Sequence, residues 1–404
     1  MNAKAPEEIR HVVVIGAGVI GLSTAWFLQE RGIGVTVVER DHVGAGASHG
    51  NAGWIIPGRA VPLTEPSALT EGLKSLVGPH GPLGVSPRCG PATLLFLARF
   101  ARHCTPGRWN RARRGLLGLN AASMAAYDRL IAGGLDVPVI DAPIVAAFSS
   151  PDHIGHLSPG DDLAALTLGE AHSLVPQLGP RVRAAVHIRD ARYVEPDLLV
   201  RGLAKAVADR GGTIHTGRTV TRVRPGAGVD TDDGTVDGDA VVIATGGALS
   251  TLAKEHGVRV PVAAGRGYSF TVRLGRPAPG PVYLPEQRLA CTPVPGGLRI
   301  AGVMEFARPG ARADHRRFDQ IARDAASMLS GADWSSRTDE WAGDRPLTPD
   351  GLPLVGPTRT PGVWVAGGHG MWGVTQGAAT GALLADHLAT GVASDALRPL
   401  DPRR

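Results

Sequence analysis

The sequence predicts an α/β chain: a Rossmann-like dinucleotide-binding sheet joined to a second domain built on an antiparallel sheet. Three observations carry this. A β-branched run, His11 to Ile15, passes at once into Gly16-Ala17-Gly18-Val19-Ile20-Gly21 and a helical stretch. Two further apolar runs, Ala240 to Ala244 and Gly362 to Ala366, also end on glycine-rich turns. Between them, Val260 to Met304 switches towards a period of two, as antiparallel strands do.

Taken in order, the elements support that class. His11–Ile15 reads as a buried parallel strand, Leu22–Arg31 as a helix stopped at Gly32, and Val35–Val38 as a second strand ending on Glu39-Arg40. Residues 44–53 form a glycine- and alanine-rich turn, and 55–91 are loop or short helix. Helices follow near Pro91–His103, apolar at Leu94, Leu95, Leu97 and Phe100, and near Arg111–Ala132; Val137–Ser149 is strand material. A helix from Leu198 to Arg210, capped by Asp197 and stopped by Gly211-Gly212, leads to strands Thr213–His215 and Val220–Arg224. A hairpin around Asp233-Gly234 delivers the chain into Ala240–Ala244. Asp314–Ser330 is helical, and the last helix runs to about His387. The dinucleotide-binding domain is therefore expected in three pieces, 1–58, 190–262 and 338–404, with 59–189 and 263–337 as the substrate domain.

Composition narrows the function classes. With 404 residues, 43% hydrophobic and 20% charged, the chain is neither disordered nor membrane-spanning, and a cytoplasmic protein is the expectation. Cys89, Cys104 and Cys291 have no ligand spacing, and the 14 histidines form no HExxH, so no metal is expected. The net charge of +5 hides a basic block: residues 72–127 hold no acid but carry Lys74, Arg88, Arg99, Arg102, Arg108, Arg111, Arg113 and Arg114. Such a block suits an anionic membrane surface, an acidic partner or a plain solvated face.

The motifs carry the chemistry. In GxGxxG the first glycine permits a tight turn, the second lets backbone approach a pyrophosphate, and the third allows close helix–strand contact. Helix N-terminal amides then hold the phosphates, and Glu39 lies where a carboxylate grips a ribose. On local pattern the nucleotide is NAD or FAD. The turn Gly367 to Gly373 lets backbone meet a planar ring, with a helix N-terminus behind it that favours negative charge. Gly46-Ala47-Ser48-His49-Gly50 matches the GxSxG elbow of serine hydrolases, but its flanks read as loop, so Ser48 fits better beside a cofactor. Arg345 could clamp a substrate carboxylate, with Arg266, Tyr268 and Tyr283 completing the wall.

Seven segments together resemble the D-amino-acid oxidase superfamily of FAD-dependent oxidoreductases, and within it bacterial D-amino-acid and D-hydroxyproline dehydrogenase-like proteins. They are VVVIGAGVIGLSTAWFLQERGIGVTVVER, SHGNAGWIIPG, RYVEPDLLVRGLA, VVIATGG, GRGYSF, RPLTPDGLPLVGP and VAGGHGMWGVTQGAATGALLADHL. The resemblance implies a glutathione-reductase-type fold with FAD held non-covalently. Gly16, Gly18, Val19, Ile20 and Gly21 would hold the pyrophosphate, with Glu39 and Arg40 at the ribose and Val220 at the adenine. Ala47, Ser48, Asn51, Ala52, Gly53 and Trp54, with Gly246, would follow the flavin side. Gly368, His369, Gly370, Met371, Trp372 and Gly373 would hold the isoalloxazine. Arg345 matches the arginine that binds substrate carboxylate in glycine oxidases and their relatives. Gly343 stands where sarcosine oxidases attach FAD through cysteine, and Met371 where glycine oxidase has a second arginine.

The implied function is dehydrogenation of a D-amino acid or a cyclic secondary amino acid such as D-proline. Hydride passes from the α-carbon to flavin N5, giving an imine or 2-oxo acid. Arg345 orients the carboxylate, and Tyr268, Tyr283 and His49 are further pocket candidates. The electron acceptor is a quinone or O2, the 72–127 block would meet an anionic membrane, and no nucleic acid is expected. A 2-hydroxy-acid dehydrogenase, a glycine- or sarcosine-type oxidase and a non-catalytic flavin subunit are the alternatives.

Overall fold

The computed structural model describes residues 9–68, 83–85, 89–157, 163–226, 228–306 and 312–404. Lys74 and Arg88 of the basic block lie outside them. The elements that position the site are, in chain order, β1 (His11–Ile15), α1 (Val19–Glu30), β2 (Gly34–Val38), α2 (Pro91–His103), α3 (Pro106–Ala121), α4 (Ser123–Ala132) and α5 (Pro196–Asp209). After these come β3 (Thr213–His215), β4 (Ala240–Ile243), β5 (Ala263–Leu274), β6 (Val282–Leu284), β7 (Leu289–Val294) and β8 (Gly297–Phe306). The chain closes with α6 (His315–Met328), β9 (Ala332–Leu347), β10 (Leu354–Pro357), β11 (Val363–Gly367) and α7 (Gly373–Thr390).

The β-branched runs make one sheet in the order β3-β2-β1-β4-β11-β10, parallel except for the edge strand β10. Both faces of its central strands are covered, which is why Val12 to Val14 and Ala240 to Ile243 are apolar without alternation and fully buried. Parallel register brings Ile15, Val38 and Ile243 level, so the turns leaving β1, β2 and β4 open at one edge. Over that sheet α1 packs directly on α7. At Gly381 a Cβ would lie 2.6 Å from the Ser23 carbonyl carbon and 2.8 Å from the Thr24 nitrogen, so only glycine permits the approach.

The period-two segment forms the second sheet, with β9-β5-β8-β7-β6 antiparallel and continued by Ile144–Phe148, Ala184–Ile188 and Leu163–Leu166. Alternation divides its side chains between two faces. Tyr268, Phe270, Val272, Cys291 and Ile300 pack beneath α6 against Phe318 and Ile321. The opposite face turns towards the loop of residues 49–54 and carries Arg345, Trp341, Thr292 and Arg299.

Four expectations need correction. The helix before β3 begins at Pro196, and its cap is Glu195, whose carboxylate accepts from the Leu198 amide at 2.8 Å; Asp197 pairs with Arg201 instead. Proline at the first helical position has no amide to leave unpaired, which moves the start upstream. For the same reason α3 starts at Pro106, and the expected single helix is divided at Ala122 into α3 and α4. On α2, Phe96 and Phe100 are the buried residues, whereas Leu94 and Leu95 face outwards. The expected boundary at 338 falls inside β9, which pairs with β5 along its whole length, so the chain leaves the antiparallel sheet only after Leu347.

Replacing Gly381 with valine should separate α1 from α7 and destabilise the protein by about 1–3 kcal/mol, as overpacking does. Thermal denaturation followed by circular dichroism checks it; an unchanged midpoint would mean that the helices have room to part.

Candidate active site

At the open edge of the parallel sheet, β1 ends on Gly16, whose φ of +109° and 2.6 Å Cβ distance to the Ala244 carbonyl oxygen exclude other residues. The chain turns through Ala17 and Gly18 into α1, whose first amides have no intrahelical partner. Two side chains hold this turn. Glu39 accepts from the Ala17 amide at 2.8 Å, and the Ser48 hydroxyl accepts from the Val19 amide at 3.1 Å. Ser48 therefore sits against the helix start, which is a loop role and not that of an elbow nucleophile. The Arg218 amide donates to the Glu39 carbonyl at 3.0 Å, which sets Val220 two residues from this corner. Arg40 is exposed and pairs with Asp41 at 3.0 Å. The Thr245 hydroxyl, at the end of β4 beside Gly16, is buried with no hydrogen-bond partner, and Gly246 (φ +54°) opens the next turn.

From Ser48 the loop crosses to the face of the antiparallel sheet. Asn51 donates to the Met371 carbonyl, Ala52 accepts from the Thr292 hydroxyl at 2.7 Å, and the Trp54 indole donates to the same hydroxyl at 2.8 Å. The turn after β11 is stitched to β9, with the Gly370 amide donating to the Pro346 carbonyl at 2.8 Å. Its His369 side chain points away into α7, with Nε2 2.9 Å from the Thr380 hydroxyl, and burial pulls its pKa down to about 3. The ring is therefore neutral, and the turn offers its backbone. Met371 packs with Leu347, Met304 and Phe306, and the Trp372 indole donates to the Val61 carbonyl at 2.7 Å. Thr375 and Gln376, in the first turn of α7, bond to the Trp54 carbonyl and to Asn120 of α3.

Arg345 lies on the sheet face that looks at these turns. Residues 341, 343 and 345 alternate onto that face opposite Ser269, Gly267 and Gly265. The guanidinium occupies the space above Gly267, where a Cβ would come within 2.2 Å of Arg345 Cζ. It donates to the Val303 carbonyl at 2.9 Å and, among the described residues, has no carboxylate partner. Burial pulls its pKa down to about 10. Such a cation is costly unless an anion completes it. The Trp341 indole lies over Gly343 and Gly50, filling the place a side chain at 343 would take. Trp341 was not foreseen from the sequence; its signal is the two-residue spacing to Arg345 once the segment is read as a strand.

The other pocket candidates divide. Tyr283 shares Arg345's face but is separated from it by three intervening strands, its ring 5.9 Å from Trp54 and capped by the Arg59 guanidinium at 4.8 Å. Tyr268 is a correction. It points to the opposite face, fully buried against Phe318, and its hydroxyl donates to Glu305 at 2.7 Å; burial, then that bond, pushes its pKa up. Arg266 shares that face and pairs with Asp344 at 3.1 Å. His49 places its ring nitrogens 3.3 Å from Asp339 and 3.5 Å from Asp197. Buried Arg299 binds Asp339, Glu195 and the His49 carbonyl, so His49 belongs to a charged joint between loop and sheet. No group of three potential metal ligands is gathered among the described residues, and no helix there is long and apolar enough to cross a membrane.

The residues present fit FAD. A glycine turn at a helix start, an orphaned buried hydroxyl at Thr245 and a second helix start behind Gly368 to Gly373 stand along one edge, and Gly343 offers no atom for a covalent link. The family model for FAD dependent oxidoreductases (DAO) matches residues 11–387. A D-amino acid dehydrogenase from Cereibacter sphaeroides is 31% identical over 407 residues, covering 93% of this chain and 91% of that protein. Glycine oxidase from Geobacillus kaustophilus superposes with a TM-score of 0.71 at 22% identity, covering 98% of this chain and 99% of that one. L-Proline dehydrogenase from P. horikoshii superposes with a TM-score of 0.70 at 16% identity, covering 98% of both. With the glycine cradle, the second helix start and the match across nearly its whole length, the chain belongs to the DAO family of FAD-dependent oxidoreductases.

Proposed function

We propose that this enzyme dehydrogenates an α-amino acid, of D configuration or a cyclic secondary one such as D-proline, to the imine. The observation that carries the reading is the half-buried Arg345 guanidinium, which faces the glycine turns without a carboxylate of its own among the described residues. A substrate carboxylate completes it with a two-point charge-assisted contact, which fixes the α-carbon. When bound, FAD supplies the acceptor for the hydride that leaves that carbon. Val303 holds the guanidinium through its carbonyl, and Trp341, Met371 and Leu347 supply apolar surface that limits water. The amine must shed its ammonium proton before the hydride leaves, and the nitrogen lone pair then forms the C=N bond. An acyclic imine hydrolyses to a 2-oxo acid and ammonia, whereas a cyclic one persists. Positioning does most of the work, and no side-chain base is needed. The D-amino acid dehydrogenase named for the relative at 31% identity supports the substrate class.

For the acceptor we propose a membrane quinone, reached through peripheral contact with an anionic membrane. Leu94 and Leu95 stand 55% and 58% exposed on α2, and Arg99 and Arg102 of α2 with Arg108, Arg111 and Arg114 of α3 are exposed as well. Apolar side chains among basic ones suit an interfacial surface.

Anaerobic addition of D- and L-amino acids, prolines included, should bleach the flavin with one enantiomer only. Bleaching by 2-hydroxy acids but not by amines would overturn the amine reading. Arg345→Ala should raise KM by about 2–5 kcal/mol, roughly thirtyfold or more, while the flavin spectrum and stoichiometry stay unchanged. Loss of flavin would make Arg345 structural. Because the guanidinium must be charged to hold a carboxylate, kcat/KM should fall as pH rises through about 10 in the wild type and not in the alanine variant. Vesicles containing phosphatidylglycerol should sediment the protein at low salt, and Leu94→Ser with Leu95→Ser should weaken this; no sedimentation would remove the membrane contact.

A further inference from the structure

Away from the cofactor edge, a cleft of about 750 Å³ opens between α2, α3, the segment before β5, the turn after β9 and the C-terminus. Arg99 and Arg102 enter it from α2, Arg108 and Arg111 from α3, and Arg259 and Arg404 from the other walls. Among the described lining residues the one carboxylate, Asp350, is already taken by a bidentate contact with Arg404, at 2.8 and 3.1 Å. Arg108 donates to the Arg102 carbonyl at 2.7 Å, which brings the α2 and α3 arginines together. Among the described residues, Arg99, Arg102, Arg108, Arg111 and Arg259 pair with no carboxylate. His103, lining the same cleft, has its pKa lowered first by burial, and by the neighbouring Arg108 and Arg404 against the pull of Asp350, and in neither protonation state does it carry negative charge to offset the arginines.

Five uncompensated guanidinium groups around one concavity repel each other, and an anion relieves that repulsion. Their planar forks match phosphate oxygens, several at a time. A lone carboxylate would neutralise one of the five and leave most of the volume open, so the charge count selects a multiply charged occupant. None of the residues lining the cleft belongs to the Gly16–Gly21 cradle, so this is not the pyrophosphate end of the FAD site.

We propose that this arginine-lined cleft is a binding site for a phosphate-bearing ligand carrying several negative charges. Such phosphate belongs either to a free polyphosphate compound or to a phospholipid headgroup. The site does not depend on the amino-acid substrate, and the test separates it from the membrane contact.

Purified holoenzyme is titrated with tripolyphosphate by calorimetry at constant ionic strength, and separately sedimented with phosphatidic-acid vesicles. Both are repeated with the variant Arg259→Ser, which changes a cleft wall outside the α2–α3 membrane face and whose flavin spectrum and thermal midpoint report an intact fold. Saturable tripolyphosphate binding, weakened about tenfold or more in the variant, supports the site with a free ligand. Vesicle binding alone, lost in the variant, supports it with a headgroup. Vesicle binding equal in both proteins, with no tripolyphosphate binding, overturns the cleft while leaving the membrane contact standing. Tripolyphosphate binding without vesicle binding keeps the cleft and removes the membrane contact. Equal binding of tripolyphosphate to both proteins, or no binding of either probe, overturns the proposal.

Discussion

The bare backbone at Gly381, lying against Ser23 and Thr24, is the contact that sets the geometry of the cofactor edge. α1 and α7 each follow a parallel strand of the same sheet, so both begin at the same end of it. A side chain at 381 would hold them apart, and their N-termini would no longer address one ligand. On the proposed reading the helix starts would serve two ends of the cofactor, the Gly16–Gly21 turn the charged diphosphate and the Gly368–Gly373 turn the ring. Thr375 and Gln376 then fasten the second helix start to the Trp54 strand and to Asn120, using polar groups that burial would otherwise leave costly.

The antiparallel sheet divides its labour by face. Beneath α6 it is ordinary core, where Tyr268 and Phe270 meet Phe318. Towards the cofactor it carries glycines where strands rarely want them, at 265, 267 and 343. Glycine weakens a strand, yet at 267 it makes the hole that the Arg345 guanidinium fills. A half-buried cation with a single carbonyl partner among the described residues adds a second local cost. Two departures from good strand design at one point are what a binding site looks like when function, not stability, chooses the residues.

Loop and sheet are kept in register by charge. Arg299, buried on the cofactor-facing side, holds Glu195 at the start of α5, Asp339 on β9 and the His49 carbonyl. Buried pairs of this kind add little net stability over apolar packing, but breaking one leaves an unpaired charge. The joint therefore specifies how the 44–53 loop lies on the sheet, and it ties the His49 ring to Asp339 and Asp197.

What the sequence by itself determined is local. The β-branched runs, the glycine turns behind them, the Asp233-Gly234 hairpin and the period-two alternation after Val260 each follow from backbone and burial rules acting over a few residues. The family was legible for the same reason, since its motifs are turns and strand ends with fixed spacing. Only the tertiary structure decided which face each strand residue took. Tyr268 and Arg345 looked alike as polar residues near a sheet, and they separate because β9 pairs with β5 in one register, placing 341, 343 and 345 opposite 269, 267 and 265. Nor could the cleft arginines be grouped in advance, because Arg259 and Arg404 reach the α2–α3 arginines only through folding. Spacing along the chain records period and turn, whereas pairing between distant strands and helices, a matter of packing and charge across the fold, assigns the partners.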